Sequence, residues 1–206
     1  MSQLSTTDSA EVLEWIHSLV VGCQRCRLSQ SRRNAVSGQG NPKADLMFIG
    51  EGPGAAEDAQ GRPFVGAAGR LLTNLLAEIG VRREEVFITN VVKCRPPGNR
   101  EPREDEIAAC NDYLLGQIAA IKPKIIATLG RHAAQALIAP DFSISRSHGK
   151  HYFQQGIFFV PMFHPAYAIY EQSRTDVLKE DMRTLGDLMV KNGLIRPRSS
   201  VDENDK

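Results

Sequence analysis

The sequence predicts an α/β fold in which a parallel sheet is covered by helices on both faces. Three observations carry this. Apolar runs at 45–50, 86–92, 124–129 and 157–162 have the length and composition of buried strands. The segments between them place apolar residues at helical spacing. Strands and helices alternate along the chain, the order that parallel pairing through helical crossovers requires.

The elements follow in order. Val12, Leu13, Trp15, Ile16, Leu19 and Val20 make one helical face over 10–21, stopped by Gly22. Residues 23–43 are irregular and basic, with Arg25, Arg27, Arg32 and Arg33. The first strand runs into Gly50-Glu51-Gly52-Pro53-Gly54, a turn that no regular element tolerates. Leu71, Leu72, Leu75, Leu76 and Ile79 give an amphipathic helix over 68–79, ended by Gly80. After the second strand, a Pro/Gly loop over 95–102 leads into a helix. Its first turn carries Glu104, Asp105 and Glu106, favourable at the positive end of the helix dipole. That helix puts Ile107, Cys110, Leu114, Ile118 and Ile121 on one buried face. Gly130 closes the third strand, and a short helix follows to about 138. The last helix is expected over 175–191. The tail from Leu194, with Pro197, Ser199, Ser200 and a charged end, is expected to be disordered. The domain is placed at 1–195 and the tail at 196–206, with no internal repeat or linker to divide the chain.

A chain of 206 residues is long enough to bury a sizeable core as one domain. Lys and Arg number 25 against 24 Asp and Glu, a net charge of +1. That excludes a polybasic protein and leaves room for a local basic groove. No run approaches the ~18 apolar residues of a membrane helix. The polar start lacks the apolar core of an export signal, so a cytoplasmic protein is expected.

In a reducing compartment the four cysteines, Cys23, Cys26, Cys94 and Cys110, are unsuited to structural disulfides. Cys23 and Cys26 form a C-x2-C pair whose thiolates can reach one centre, and four thiolates suit either a structural zinc or a cubane iron–sulfur cluster. Spacing alone leaves both open.

Function in such sheets gathers in the loops at the carboxyl ends of the strands, so the loops after Ile49, Thr89, Leu129 and Phe163 should meet. The first brings Glu51, which would repel a phosphate. It also brings Gly50, Gly52 and Gly54, which let the backbone approach a ligand, and further on Phe64, a flat face for a planar ring. The second brings Asn90. Its amide donates and accepts side by side, matching the O4 and N3–H of uracil and mismatching cytosine, which reverses both. The fourth brings His164, set beyond a strand by Pro165. His17 and His132 are assigned no role, while His148 and His151 lie in a basic loop within reach of phosphate.

Together, Cys23-x2-Cys26, the 50–54 turn, Gly61-Arg-Pro-Phe-Val-Gly66, Thr89-Asn-Val-Val-Lys-Cys-Arg-Pro-Pro97, Cys110 and His164-Pro-Ala-Tyr167 make a chain that resembles the family 4 uracil-DNA glycosylases, the iron–sulfur type. The likeness runs from Cys23 to about Leu185. It implies a three-layer α/β/α sandwich around a four-stranded parallel sheet. It also implies a [4Fe–4S] cluster on Cys23, Cys26, Cys94 and Cys110. Arg25, Arg27, Lys93 and Arg95 around those ligands are then expected to contact phosphate.

The resemblance further implies a monofunctional glycosylase, acting as a monomer on uracil in single- or double-stranded DNA. It would flip deoxyuridine out of the stack, hydrolyse the N1–C1′ bond and leave an abasic site for base excision repair. Phe64 stacks on uracil, Gly52 and Asn90 hold it, and Glu57 crowds C5 against the methyl group of thymine. His164 donates to O2 of the leaving base, and Glu51 positions water or stabilises the sugar cation. Because Ala168 is small where a bulkier residue is common, either Tyr167 or Ile169 wedges the gap left by the base or the enzyme leans towards single strands. Ser147-His148-Gly149 also departs from the Arg-Gly usual in the family. The alternative is a related branch that traps uracil-DNA covalently through a His on an inserted loop. That insertion is absent here, and His148 is the one residue that keeps the alternative open.

Overall fold

The computed structural model describes residues 8–169 and 171–197. Its sheet has six strands: β1 (Gln39–Gly40), β2 (Leu46–Gly50), β3 (Phe87–Asn90), β4 (Ile125–Leu129), β5 (Tyr152–Gln154) and β6 (Ile157–Met162), in the order β1-β3-β2-β4-β6-β5. The four central strands are parallel, as the sequence predicts. β1 and β5 add one short antiparallel strand at each edge. The helices are α1 (Ser9–Val21), α2 (Ala55–Gln60), α3 (Ala67–Glu78), α4 (Glu104–Ile121), α5 (Arg131–Leu137), α6 (Ile144–Ser147) and α7 (Gln172–Lys191).

Strand periodicity sorts the helices into two layers. On β2, Leu46 and Phe48 join Leu72, Leu75 and Leu76 of α3 and Leu178, Met182 and Leu185 of α7. Met47 and Ile49, pointing the other way, join Cys110, Leu114 and Ile121 of α4 and Ala133 of α5. α1 packs outside α4 through Ile16, Val20 and Tyr113. The result is the three-layer α/β/α sandwich. Ile107 and Ile118 pack against the α4 cluster without full burial. Leu194 and Ile195 pack against the α3/α7 core, so these two residues are part of the domain rather than of a loose tail. The expectation for 198–206 lies outside the described residues. Among the described residues no helix is long and apolar enough to cross a membrane.

Register positions the site. Gly50 pairs with Asn90, and Leu129 with Met162, so the central strands end together and their following loops meet. Gly69, in the first turn of α3, lies so close beneath Phe64 that a Cβ there would strike the Phe64 carbonyl. This contact presses α3 against the loop after β2 and fixes where Phe64 stands.

Candidate active site

The carboxyl ends of the strands enclose a cavity of about 310 Å³. Its lining includes Glu51, Gly52, Glu57, Phe64, Asn90 and His164, residues 113 positions apart in sequence at the extremes. All six were marked by the sequence. Pro96, Asn99 and Arg100 also line it and were not.

Asn90, the last residue of β3, is 1% exposed, and its Oδ1 is buried without a hydrogen-bond partner. An unmet buried acceptor costs roughly 1–3 kcal/mol, so the fold carries a cost that a ligand N–H would remove. Gly50 is what leaves the slot open. A Cβ there would lie 2.5 Å from Asn90 Oδ1 and 2.8 Å from Phe64 Cζ. Phe64 itself is buried at φ 50°, a left-handed conformation that non-glycine residues rarely take. Glu57, from α2, holds the Phe64 loop by accepting the N–H groups of Val65 and Gly66, each at 2.9 Å, through one carboxylate oxygen.

His164 follows β6, with its ring 5.6 Å from that of Phe64. Burial pushes its pKa down to about 4, so the ring is neutral at physiological pH. The Ala166 N–H donates to Nδ1 at 3.1 Å. A neutral ring accepting at Nδ1 carries its proton on Nε2, which makes Nε2–H a donor.

Glu51 has its pKa raised, chiefly by burial, and the His132 ring pulls it back down. His132 Nε2 lies 3.9 Å from Glu51 Oε2 and 3.3 Å from Glu101 Oε2, and Arg131 binds Glu101 at 2.6 Å. The sequence reading gave His132 no role because it sits on a helix. The available signal was that the loop after Leu129 should join the site, and His132 is three residues beyond that strand.

A family model for the uracil DNA glycosylase superfamily matches residues 37–185. The type-4 uracil-DNA glycosylase of Sulfurisphaera tokodaii is 50% identical over 187 residues, covering 86% of this chain and 85% of that protein. The type-4 uracil-DNA glycosylase of Thermotoga maritima is 42% identical over 187 residues, covering 89% and 97%. This chain belongs to the type-4 uracil-DNA glycosylases. A type-5 uracil-DNA glycosylase of Thermus thermophilus is more distant, 34% identical over 137 residues, covering 57% of this chain and 62% of that protein.

The four cysteines of this type-4 chain are free thiols on three segments, the stretch after α1, the loop after β3 and α4. Cys94 and Cys110 share one core cluster with Cys26 packed against it, and Cys23 packs beside Tyr113. Cys94 senses the charge of Cys23 and Cys26, and Cys110 that of Cys94 and Cys26, so the four converge. Burial pushes the Cys110 thiol up to about 11. The guanidinium of Arg32 donates to Cys94 Sγ at 3.0 Å, a contact suited to a thiolate. Among the described residues, no three His, Cys, Asp or Glu side chains close around one point as a single ion needs. Four converging thiols are the soft donor set that a thiolate-held metal group takes.

Of the basic residues beside these cysteines, Lys93 departs from expectation. Lys93 cannot serve as a phosphate contact, because it is 1% exposed. Its ammonium donates to Thr89 Oγ1 at 2.7 Å, the Asn90 carbonyl at 2.6 Å and Gln117 Oε1 at 2.8 Å. Burial lowers its pKa to about 7. Arg25 pairs with Asp112 and Arg27 with Asp105, while Arg95 donates to Asn99. Tyr167 is half-exposed, stacked 4.9 Å from Phe163 on one side with Arg174 over its ring at 4.1 Å. Ile169 is partly buried. His148 does not line the cavity. Its Nδ1 is bound to the buried Asp181 at 2.8 Å and its ring packs on Phe163.

Proposed function

We propose that this chain hydrolyses the N1–C1′ bond of a flipped-out deoxyuridine and leaves an abasic site for base excision repair. The observation that carries the reading is the unmet acceptor of Asn90, buried at one edge of a slot whose other wall is Phe64. In that slot the N3–H of uracil donates to Asn90 Oδ1, the amide NH2 donates to O4, and the ring lies on Phe64. Cytosine would set acceptor against acceptor and donor against donor. Glu57, held beside Phe64, stands where the C5 methyl of thymine would fall.

As the N1–C1′ bond breaks, its electron pair leaves with uracil and negative charge builds partly on O2. His164 Nε2–H donates there. A neutral donor suits an oxyanion because it needs no proton transfer at the moment of bond breaking. The water oxygen forms the new bond to C1′ and its proton passes to Glu51. Burial makes that carboxylate a better base than a solvated one. The same negative charge faces the cation-like sugar. Cys23, Cys26, Cys94 and Cys110 would hold a [4Fe–4S] cluster, which supplies a covalent tie between three chain segments. Through Lys93 the loop bearing Cys94 is hydrogen-bonded to the backbone of Asn90.

The test is an oligonucleotide carrying a single uracil, incubated with limiting protein and analysed with and without hot alkali. Strand breaks that appear only after alkali, over many turnovers, are expected. A strand bound through denaturation would favour covalent trapping, against which the His148–Asp181 contact argues. Free intact strands from cluster-loaded protein would overturn the assignment.

A further inference from the structure

A second concavity, of about 410 Å³, lies behind the cavity wall. Phe64 lines both, facing the base slot on one side and this groove on the other. Three arginines line it: Arg62, Arg70 and Arg83. They come from different places, Arg62 from the loop before α3, Arg70 from α3 and Arg83 from the turn before β3.

Their surroundings differ from those of the ion-paired arginines. Arg25, Arg27, Arg100 and Arg131 each meet a carboxylate within ion-pair distance. Among the described residues, no carboxylate lies within that distance of Arg62, Arg70 or Arg83. Arg83 is half-buried and donates to the Pro63 carbonyl at 2.7 Å and to Thr73 Oγ1 at 3.3 Å, neutral partners that orient the guanidinium without cancelling its charge. Arg62 donates to the neutral amide oxygen of Gln60 at 3.1 Å. The exposed Arg70 is bound to no described side chain. Glu84 and Glu57 are the acidic neighbours whose charges reach Arg83, and neither lines the groove. Gln39, Thr73 and Asn74 supply uncharged hydrogen-bonding groups along the floor. In a chain of net charge +1, three guanidinium groups on one groove, none with a carboxylate at ion-pair distance among the described residues, form a local positive field.

We propose that this groove binds the phosphodiester backbone of the strand flanking the flipped uridine, with Arg62 and Arg70 as direct phosphate contacts and Arg83 as the fixed charge between them. The inference rests on the uracil-DNA reading above and adds to it a path by which the strand leaves the site around the Phe64 loop. Guanidinium groups in an uncharged polar trough suit a ligand bearing a regular series of anionic oxygens. An acidic peptide is the competing ligand that the experiment separates.

The test is equilibrium binding of cluster-loaded protein to a single-stranded oligonucleotide carrying a tetrahydrofuran abasic analogue, measured against salt. Uracil release by the wild type is assayed alongside, so that absence of release reports on the function and not on the groove. For single strands each phosphate contact adds about 0.7 to the slope of log K against log salt, so R62A/R70A should flatten the slope by about 1.4. Between 50 and 200 mM salt the double variant should then lose about sevenfold less affinity than the wild type. R62K/R70K should restore the slope. R183A, which removes an exposed, ion-paired arginine of α7, should leave it unchanged. Shortening the oligonucleotide on one side of the lesion should abolish the difference between wild type and double variant. The proposal is overturned by an unchanged slope in R62A/R70A, by lysine variants that fail to restore it, or by a difference that survives trimming on both sides. It is overturned equally if the double variant loses affinity for a poly-glutamate peptide but not for the oligonucleotide.

Discussion

Two buried polar groups three residues apart follow opposite rules. At Asn90, on the cavity side of β3, an acceptor is buried and unmet. At Lys93, behind the same strand, an ammonium is buried and all three of its donors have partners. The second group is fully satisfied and ties its partners together, and the first would be a defect in an isolated fold. The difference separates a surface waiting for a ligand from the scaffold that holds it in register. Removing polar atoms should therefore lower activity in one place and stability in the other.

The largest expected effect lies on the cavity side. His164→Ala should slow single-turnover uracil release by about 10²–10³-fold, as loss of a preorganised oxyanion donor does elsewhere, with the melting temperature unchanged. An unaltered rate would remove His164 from the reaction. Asn90→Ala should reduce release by about 10–10²-fold, the equivalent of one to two unmade hydrogen bonds. It should leave thermal stability equal or higher, because it deletes an unmet acceptor. A fall in melting temperature would mean that Asn90 supports the fold and would dissolve the contrast. Lys93→Met should do the reverse, lowering unfolding free energy by about 1–3 kcal/mol through the hydrogen bonds lost at Thr89, Gln117 and the Asn90 carbonyl. Its effect on uracil release should be smaller than that of Asn90→Ala. Urea unfolding of the loaded protein checks this.

The smallest effect concerns pH. In the proposed reaction Glu51 acts ionised, and its pKa is raised chiefly by burial and lowered by His132. Activity should fall as pH drops through that raised value, above the usual carboxylate range. His132→Ala removes the lowering influence, so the acidic limb of the pH–rate profile should move to higher pH while the neutral-pH rate holds. A limb that stays put or moves down would show that His132 does not act on Glu51.

Much of this molecule can be read from its sequence because its informative residues sit at strand ends. Glu51, Asn90 and His164 each follow an apolar run, and parallel register then brings them together without further information. The elements that escape the reading lack a hydrophobic period. β1 is Gln39–Gly40 and α2 is a short polar turn after Pro53-Gly54. β5 is three residues long and only partly covered. Lys93 misleads for a different reason. Charge normally marks a surface, and here it is internalised by Gln117, a residue 24 positions away that no local pattern connects to it. Arg25 and Arg27 have carboxylate partners 87 and 78 positions further on, which no local pattern connects to them either.

The left-handed Phe64 has a consequence for the order of events on DNA. A non-glycine residue held there costs roughly 1–2 kcal/mol, supplied by the surrounding contacts with Gly69 and the Glu57-bound loop before any nucleic acid arrives. The wall of the slot does not swing in to meet the base. In the proposed reaction the protein is then the stationary partner and the motion belongs to the nucleotide, so the rate of capture should follow how readily a given duplex or single strand releases its uracil from the stack.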